Sequence, residues 1–257
     1  MTPATLGIDL AAESENTGAC RLRWEPGGAV VEWVCVGTRA EPLDNDALVA
    51  LIGAAGATGI DAPFGWPRRF VAAVTAWSSG HGWDEPWDAE ARRALRLRAT
   101  DRWLHEKQRR TPLSVSADSI AVCAMRAAAL LQRVHGDDVD RVGGPTFEVY
   151  PAAALRAWEV PTKGYKKNED VRREILTRIG TGAWLDLGAW AGELVRTDHA
   201  LDALISAVVA RAASIGRTLP VPAEHAADAA IEGWIQVPAT AADQLVTPSP
   251  AADRAAR

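Results

Sequence analysis

Cysteine is scarce. Cys20, Cys35 and Cys123 are the only three in 257 residues, and none forms a CxxC pair. That excludes a zinc knuckle and a disulfide framework. The five histidines, at 81, 105, 135, 199 and 225, show no HxxxH or HxH spacing, so a metal site built from imidazoles is not expected. No GxxxxGK[ST] phosphate loop occurs. The first residues lack a basic stretch followed by an apolar run, and no segment reaches about 18 uninterrupted apolar residues. The expectation is a cytoplasmic protein, with neither secretion nor membrane insertion. A net charge of −5 also argues against coating nucleic acid through bulk electrostatics. It leaves room for a local basic patch that grips phosphates.

What is present reads as one α/β domain over residues 1–238, followed by an Ala/Pro/Thr/Ser tail at 239–257 expected to be disordered. Residues 5–11 (TLGIDLA) form a buried strand that runs into an acid. Runs 18–24 and 29–37 are two more strands joined by the turn EPGG, so the three make an antiparallel meander. A helix opened by an Asx cap follows at 44–54, then a short apolar strand at 58–61 that again ends in an acid. Helices are expected at 118–134, 152–158, 169–179 and 198–214, a strand at 146–150, and a last strand at 233–237.

Residues 64–112 depart from this pattern. They hold five of the eleven tryptophans (Trp66, Trp77, Trp83, Trp87 and Trp103) and a dense basic run from Arg92 to Arg110. The segment reads as an insertion or lid. Guanidinium groups and indoles together suit a single-stranded nucleic acid, while an amphipathic helix packing its tryptophans onto the core is the alternative.

The acids carry the chemistry. Asp9 and Asp61 each close an apolar strand, at the sheet edge where α/β proteins bind ligands. An unpaired carboxylate in such surroundings is costly, and a metal ion removes the cost. Each taken alone is equally compatible with a turn or helix cap. Asp198 and Asp202 stand at i and i+4 on one helix and share a face. Asp198 can serve as a cap, whereas Asp202 sits in an apolar run. Such a carboxylate set suits Mg²⁺ or Mn²⁺. Glu148, inside an apolar strand, is a further ligand, a general base or a solvent-facing position. Asp101 and Asp118 border helices and are candidate caps. Arg98 with Asp101 is a candidate phosphate contact. Lys163, Lys166, Lys167, Arg172 and Arg173 form plain surface or the other wall of a phosphate groove, and His199 beside Asp198 assists proton transfer or lies on the helix surface.

The ordered motifs GIDLA, GIDAPFGWP, FEVYP and DHALDALISA, with RATDRW (98–103) and PLSVSADSI (112–120), resemble the DUF429 family over residues 6–238. That family is regarded as predicted nucleases with a ribonuclease H-like fold, and DHALDAL is similar to the acidic terminal helix of RuvC-type resolvases. The resemblance implies a ribonuclease H-like mixed sheet, an antiparallel three-strand meander plus parallel strands, flanked by helices. It implies Asp9, Asp61, Asp198 and Asp202 as metal ligands and catalytic residues, with Glu148 beside them. Arg98, Asp101, Ser116, Asp118 and Lys166 would contact the substrate. The leading expectation is a nuclease or phosphodiesterase acting on nucleic acid or another phosphate ester. An actin-like phosphotransferase is disfavoured because GIDLAAE lacks phosphate-loop residues. A non-catalytic module holding RNA or protein stays open, as does the oligomeric state, a homodimer included.

Overall fold

The computed structural model describes residues 4–110, 112–116 and 120–246. β1 (Thr5–Asp9), β2 (Gly18–Glu25) and β3 (Gly28–Val36) form the antiparallel meander. β4 (Ala57–Asp61) pairs parallel with β1, and β5 (Thr146–Glu148) pairs parallel with β4. A two-residue strand, β6 (Leu185–Asp186), adds in parallel to β3. The order β5-β4-β1-β2-β3-β6 is consistent with a ribonuclease H-like arrangement.

Helices cover both faces. α1 (Asn45–Gly53) starts where the Asp44 carboxylate accepts the Ala47 amide, 2.9 Å away. The Trp- and Arg-rich segment is helical, comprising α2 (Arg68–Ser78), α3 (Ala89–Arg96) and α4 (Ala99–Gln108). α5 (Ile120–His135), α6 (Pro151–Ala157), α7 (Glu169–Ile179) and α8 (Ala191–Arg196) follow. Then come the long α9 (Asp198–Ser214) and α10 (Ala226–Glu232). Among the described residues no helix is long and apolar enough to cross a membrane.

Strand alternation divides β1 between two faces. Leu6 and Ile8 pack with Leu48 and Ile52 of α1 and with Leu130 and Leu131 of α5. Gly7 and Asp9 therefore point to the opposite side, where α9 lies. There Leu201, Leu204, Ile205 and Val208 join Leu22, Val31 and Val34 in the larger core. Each such side chain contributes about 1.5–3 kcal/mol on burial.

α9 lies unusually close to the strands because they carry no side chain beneath it. A Cβ on Gly7 would overlap the Ala203 carbonyl and the Ala207 amide, and one on Gly59 would overlap the Ser206 carbonyl. Gly18 stands in the same relation to the His199 carbonyl.

Two expectations need correction, and one short strand went unread. Residues 233–237 form no strand, because their amides are committed elsewhere: Ile235 donates to Thr100 Oγ1 and Gln236 to the Glu148 carbonyl. The tail expected from residue 239 packs through residue 246, with Ala242 and Leu245 buried in the core. β6 was not anticipated, since two residues carry no periodic signal.

Gly7→Ala is expected to destabilise the chain by about 2–3 kcal/mol through backbone overpacking. Urea unfolding measures this, and a loss below about 0.5 kcal/mol would contradict the close approach of α9.

Candidate metal centre

Asp9 and Asp61 are direct partners in the parallel pairing of β1 with β4, on the faces shared with Gly7 and Gly59. Asp202 immediately precedes Ala203, whose carbonyl rests over Gly7. The glycines that admit α9 thus bring its carboxylate onto the strand ends. One oxygen each from Asp9, Asp61 and Asp202 lies within 4.8 Å of the others. Asp202 is fully buried (0% exposed) and Asp9 nearly so, at 8%. Asp9 and Asp61 open onto a cleft of about 460 Å³, walled in part by Leu113, Cys123, Tyr165, Lys166 and His199.

Two basic side chains touch the acids. Lys166 donates to Asp202 Oδ2 in a short contact and lies 3.6 Å from Asp198 Oδ2. His199 Nδ1 is 2.6 Å from Asp9 Oδ2. The Tyr165 hydroxyl donates to Asp202 Oδ1 over 3.0 Å. Even so, negative charge is in excess. Burial, then the neighbouring charges of Asp9 and Asp202, push the Asp61 carboxyl well above the ordinary range. Burial likewise pushes Asp202 up to about 6, although Lys166 pulls the other way. Burial opposes the charge on Lys166, but Asp202 and the other acids outweigh it and hold its proton more tightly. The hydrogen bond to Asp9 raises His199.

This donor set fits a hard divalent cation. All three ligands are carboxylate oxygens, the preference of Mg²⁺ and Mn²⁺. Oxygens around an octahedral ion with bonds near 2.1 Å stand about 3–4 Å apart, so small side-chain rotations close the observed spacing. The raised acids mark charge that one ammonium does not neutralise, and a dication would remove that cost.

A family model described as "Protein of unknown function (DUF429)" matches residues 7–227. The chain belongs to the DUF429 family. No curated protein and no solved structure matches it.

The other expected site residues of this DUF429 chain fall in different places. Asp198 starts α9 and faces Lys166, and it is not among the three carboxylates that converge. Glu148 pairs in register with Ile60 rather than Asp61, so strand alternation turns it to the opposite face. There Arg98, 2% exposed, binds Glu148 through Nη1 and Nη2 at 2.9 and 2.7 Å. Arg98 also binds Asp101 through Nε and Nη2, and the Glu232 carbonyl through Nη1. Those five bonds use every guanidinium N–H, leaving none for a phosphate. Arg98 and Asp101 line the same cleft as Asp9 and Asp61, but with every N–H engaged this geometry lends no support to the phosphate contact expected of them. Burial raises the Glu148 carboxyl even against the pull of Arg98. Its Oε2 also accepts the Phe64 amide at 3.0 Å, which fixes the chain just beyond Asp61. Ser116 donates to the Leu95 carbonyl, 3.0 Å away, and lines a different groove. Asp118 lies outside the described residues. Lys166 lines the cleft and also meets the acids themselves.

Sequence reasoning missed Tyr165 and the orientation of His199. The signal for Tyr165 was a lone aromatic within the basic run Lys163–Lys167. For His199 it was the i, i+3 relation to Asp202 on one helix face. Glu232 was missed as well; it accepts the Arg68 and Ala99 amides at 2.7 and 2.6 Å, and nothing local announces it.

Two outcomes are expected. Arg98→Met leaves Glu148 and Asp101 as uncompensated buried charges and should cost about 3–5 kcal/mol in urea unfolding; a loss under about 1 kcal/mol would contradict the network. Because Asp61 holds its proton more tightly folded than unfolded, its contribution to stability is lost as pH rises through its folded pKa. Metal-free Asp61→Asn should therefore melt above the parent at pH 8, with the gap narrowing at pH 5. A gap that did not change with pH would contradict the charge excess.

Proposed function

We propose that this chain hydrolyses phosphodiester bonds of nucleic acid with Mg²⁺ or Mn²⁺ held by Asp9, Asp61 and Asp202. The observation that carries this reading is the convergence of the three carboxylates, from two adjacent parallel strands and one helix, at an open cleft. Such a cation would supply positive charge for the reacting phosphate and a bound water acidic enough to serve as nucleophile near neutral pH.

The chain's own residues prepare the site for that chemistry. His199 engages Asp9 Oδ2 and leaves Oδ1 of Asp9 to the ion. The Tyr165 hydroxyl fixes the Asp202 carboxylate in one rotamer. Lys166, half exposed at the end of a long stem, brings positive charge to the mouth of the cleft where a phosphate arrives. The Arg98, Asp101 and Glu148 network anchors the Phe64 amide, so the turn after Asp61 keeps its shape. Glu148 acts there as a positioning residue; its carboxylate lines the same cleft as Asp9 and Asp61 but is engaged by Arg98 and the Phe64 amide.

The test is Mn²⁺-dependent cleavage of a mixed-sequence oligonucleotide, with Mn²⁺ binding followed by calorimetry. Asp9→Asn and Asp61→Asn should each lower cleavage by about a thousandfold or more and weaken Mn²⁺ binding, with the circular dichroism spectrum unchanged. Cleavage and Mn²⁺ binding that survive in both variants would remove the carboxylates from the reaction.

A further inference from the structure

The segment from α2 to α4 carries positive charge on a negative chain. Residues 68–110 contain ten Lys and Arg against six Asp and Glu, whereas the whole chain is −5. Several of those acids are already committed: Glu85 to Arg69, Asp88 to the Ala91 amide and Asp101 to Arg98. By contrast, Arg93 and Arg96 pair with no carboxylate among the described residues. Trp87 is 70% exposed and Trp83 41%, far more than indoles normally show on a monomer. The Arg92 guanidinium lies over one face of the Trp87 ring, 5.9 Å from its centroid, and donates to the Trp87 carbonyl. Phe70, Trp83, Trp87, Arg92 and Arg96 share one groove. Arg92 and Arg96, one helical turn apart, also border a second groove with Arg93.

This patch continues towards the acids. Ser114 Oγ and Ser116 Oγ donate to the Arg96 and Leu95 carbonyls, at 2.9 and 3.0 Å. The same stretch places Pro112 and Leu113 in the wall of the acidic cleft. Ser116 lines the aromatic groove at its other end.

We infer that the face formed by Trp83, Trp87, Arg92, Arg93 and Arg96 binds a single-stranded nucleic acid and leads it along residues 112–116 to Asp9 and Asp61. The inference rests on the phosphodiesterase reading for what happens at the acids, but not for the binding itself. Exposed indoles stack on bases only where those bases are not already stacked in a duplex, and guanidinium groups without a carboxylate partner on one helix meet neighbouring phosphates. Charge complementarity selects a polyanion. A protein partner would instead use the exposed apolar stripe of α2, formed by Val71, Val74 and Trp77.

The test uses the full chain in EDTA, with fluorescence anisotropy of a labelled 15-nucleotide oligo(dT) and of a duplex of the same length. The single strand should bind at least tenfold more tightly than the duplex. Trp87→Ala and Arg96→Glu should each weaken binding by about tenfold or more. Arg96→Glu should also lower the slope of log affinity against log salt, by about 0.7 for each phosphate that is no longer neutralised. Val71→Asp should bind as the parent does. Absent binding, equal affinity for duplex, parental affinity in both patch variants, or loss confined to Val71→Asp would each overturn the inference. Hydrolysis of bis(p-nitrophenyl) phosphate with Mn²⁺, measured separately, keeps the two readings apart. Hydrolysis without strand binding would refute only the track. Strand binding with no hydrolysis under any divalent ion would support the track and refute the hydrolase.

Discussion

The contact between α9 and the bare backbone of β1 and β4 is what the rest of the structure depends on. A helix normally stands about 10 Å from a sheet because side chains keep the two apart. Here Gly7 and Gly59 remove that layer, and the carbonyls of Ala203 and Ser206 take its place. The energetic return comes from the flanking aliphatics of α9, which fill the space on either side. The chemical consequence is that a short aspartate, with one methylene of reach, extends from a helix to the strand ends. With ordinary residues in place of the glycines, Asp202 would stand too far away to share an ion with Asp9 and Asp61.

Two groups of buried charge line one cleft and behave oppositely. Around Arg98 the donors and acceptors match: five N–H groups meet two carboxylates and a carbonyl, and the assembly is closed. Around Asp61 they do not match, and the excess is negative. A closed network holds shape. Both groups line the cleft, and only the one around Asp61 leaves charge unbalanced there.

Much of this was legible in the sequence, for identifiable reasons. Asp9 and Asp61 were visible because an acid at the end of an apolar strand breaks the local pattern, and α9 was visible in both bounds and face because its apolar period is long. The parity of Glu148 was less accessible. A strand of three residues gives too little alternation to assign its face, and the ion pair that explains it spans 50 residues. Arg98 looked like a phosphate ligand because sequence shows the guanidinium but not how many partners converge on it. Trp103 and Trp87 sit in one Trp- and Arg-rich segment, yet the first packs against Trp234, 5.3 Å between ring centroids, and the second faces solvent. Only the course of α3 and α4 separates them.

Lys166 occupies the most consequential position in the mouth of the cleft. Its ammonium already neutralises the oxygen of Asp202 that an incoming dication would seek. Ion entry under the proposed function would therefore exchange one positive charge for another, on a short loop bounded by Gly164, whose φ of 86° favours glycine. The same loop seats Tyr165 in the core beneath, so the lysine can swing while its neighbour stays anchored. Under the proposed function such a tethered counter-ion would set a threshold: scarce divalent ions would leave the acids capped by the protein's own side chain, and abundant ones would release that side chain towards an anion in the cleft.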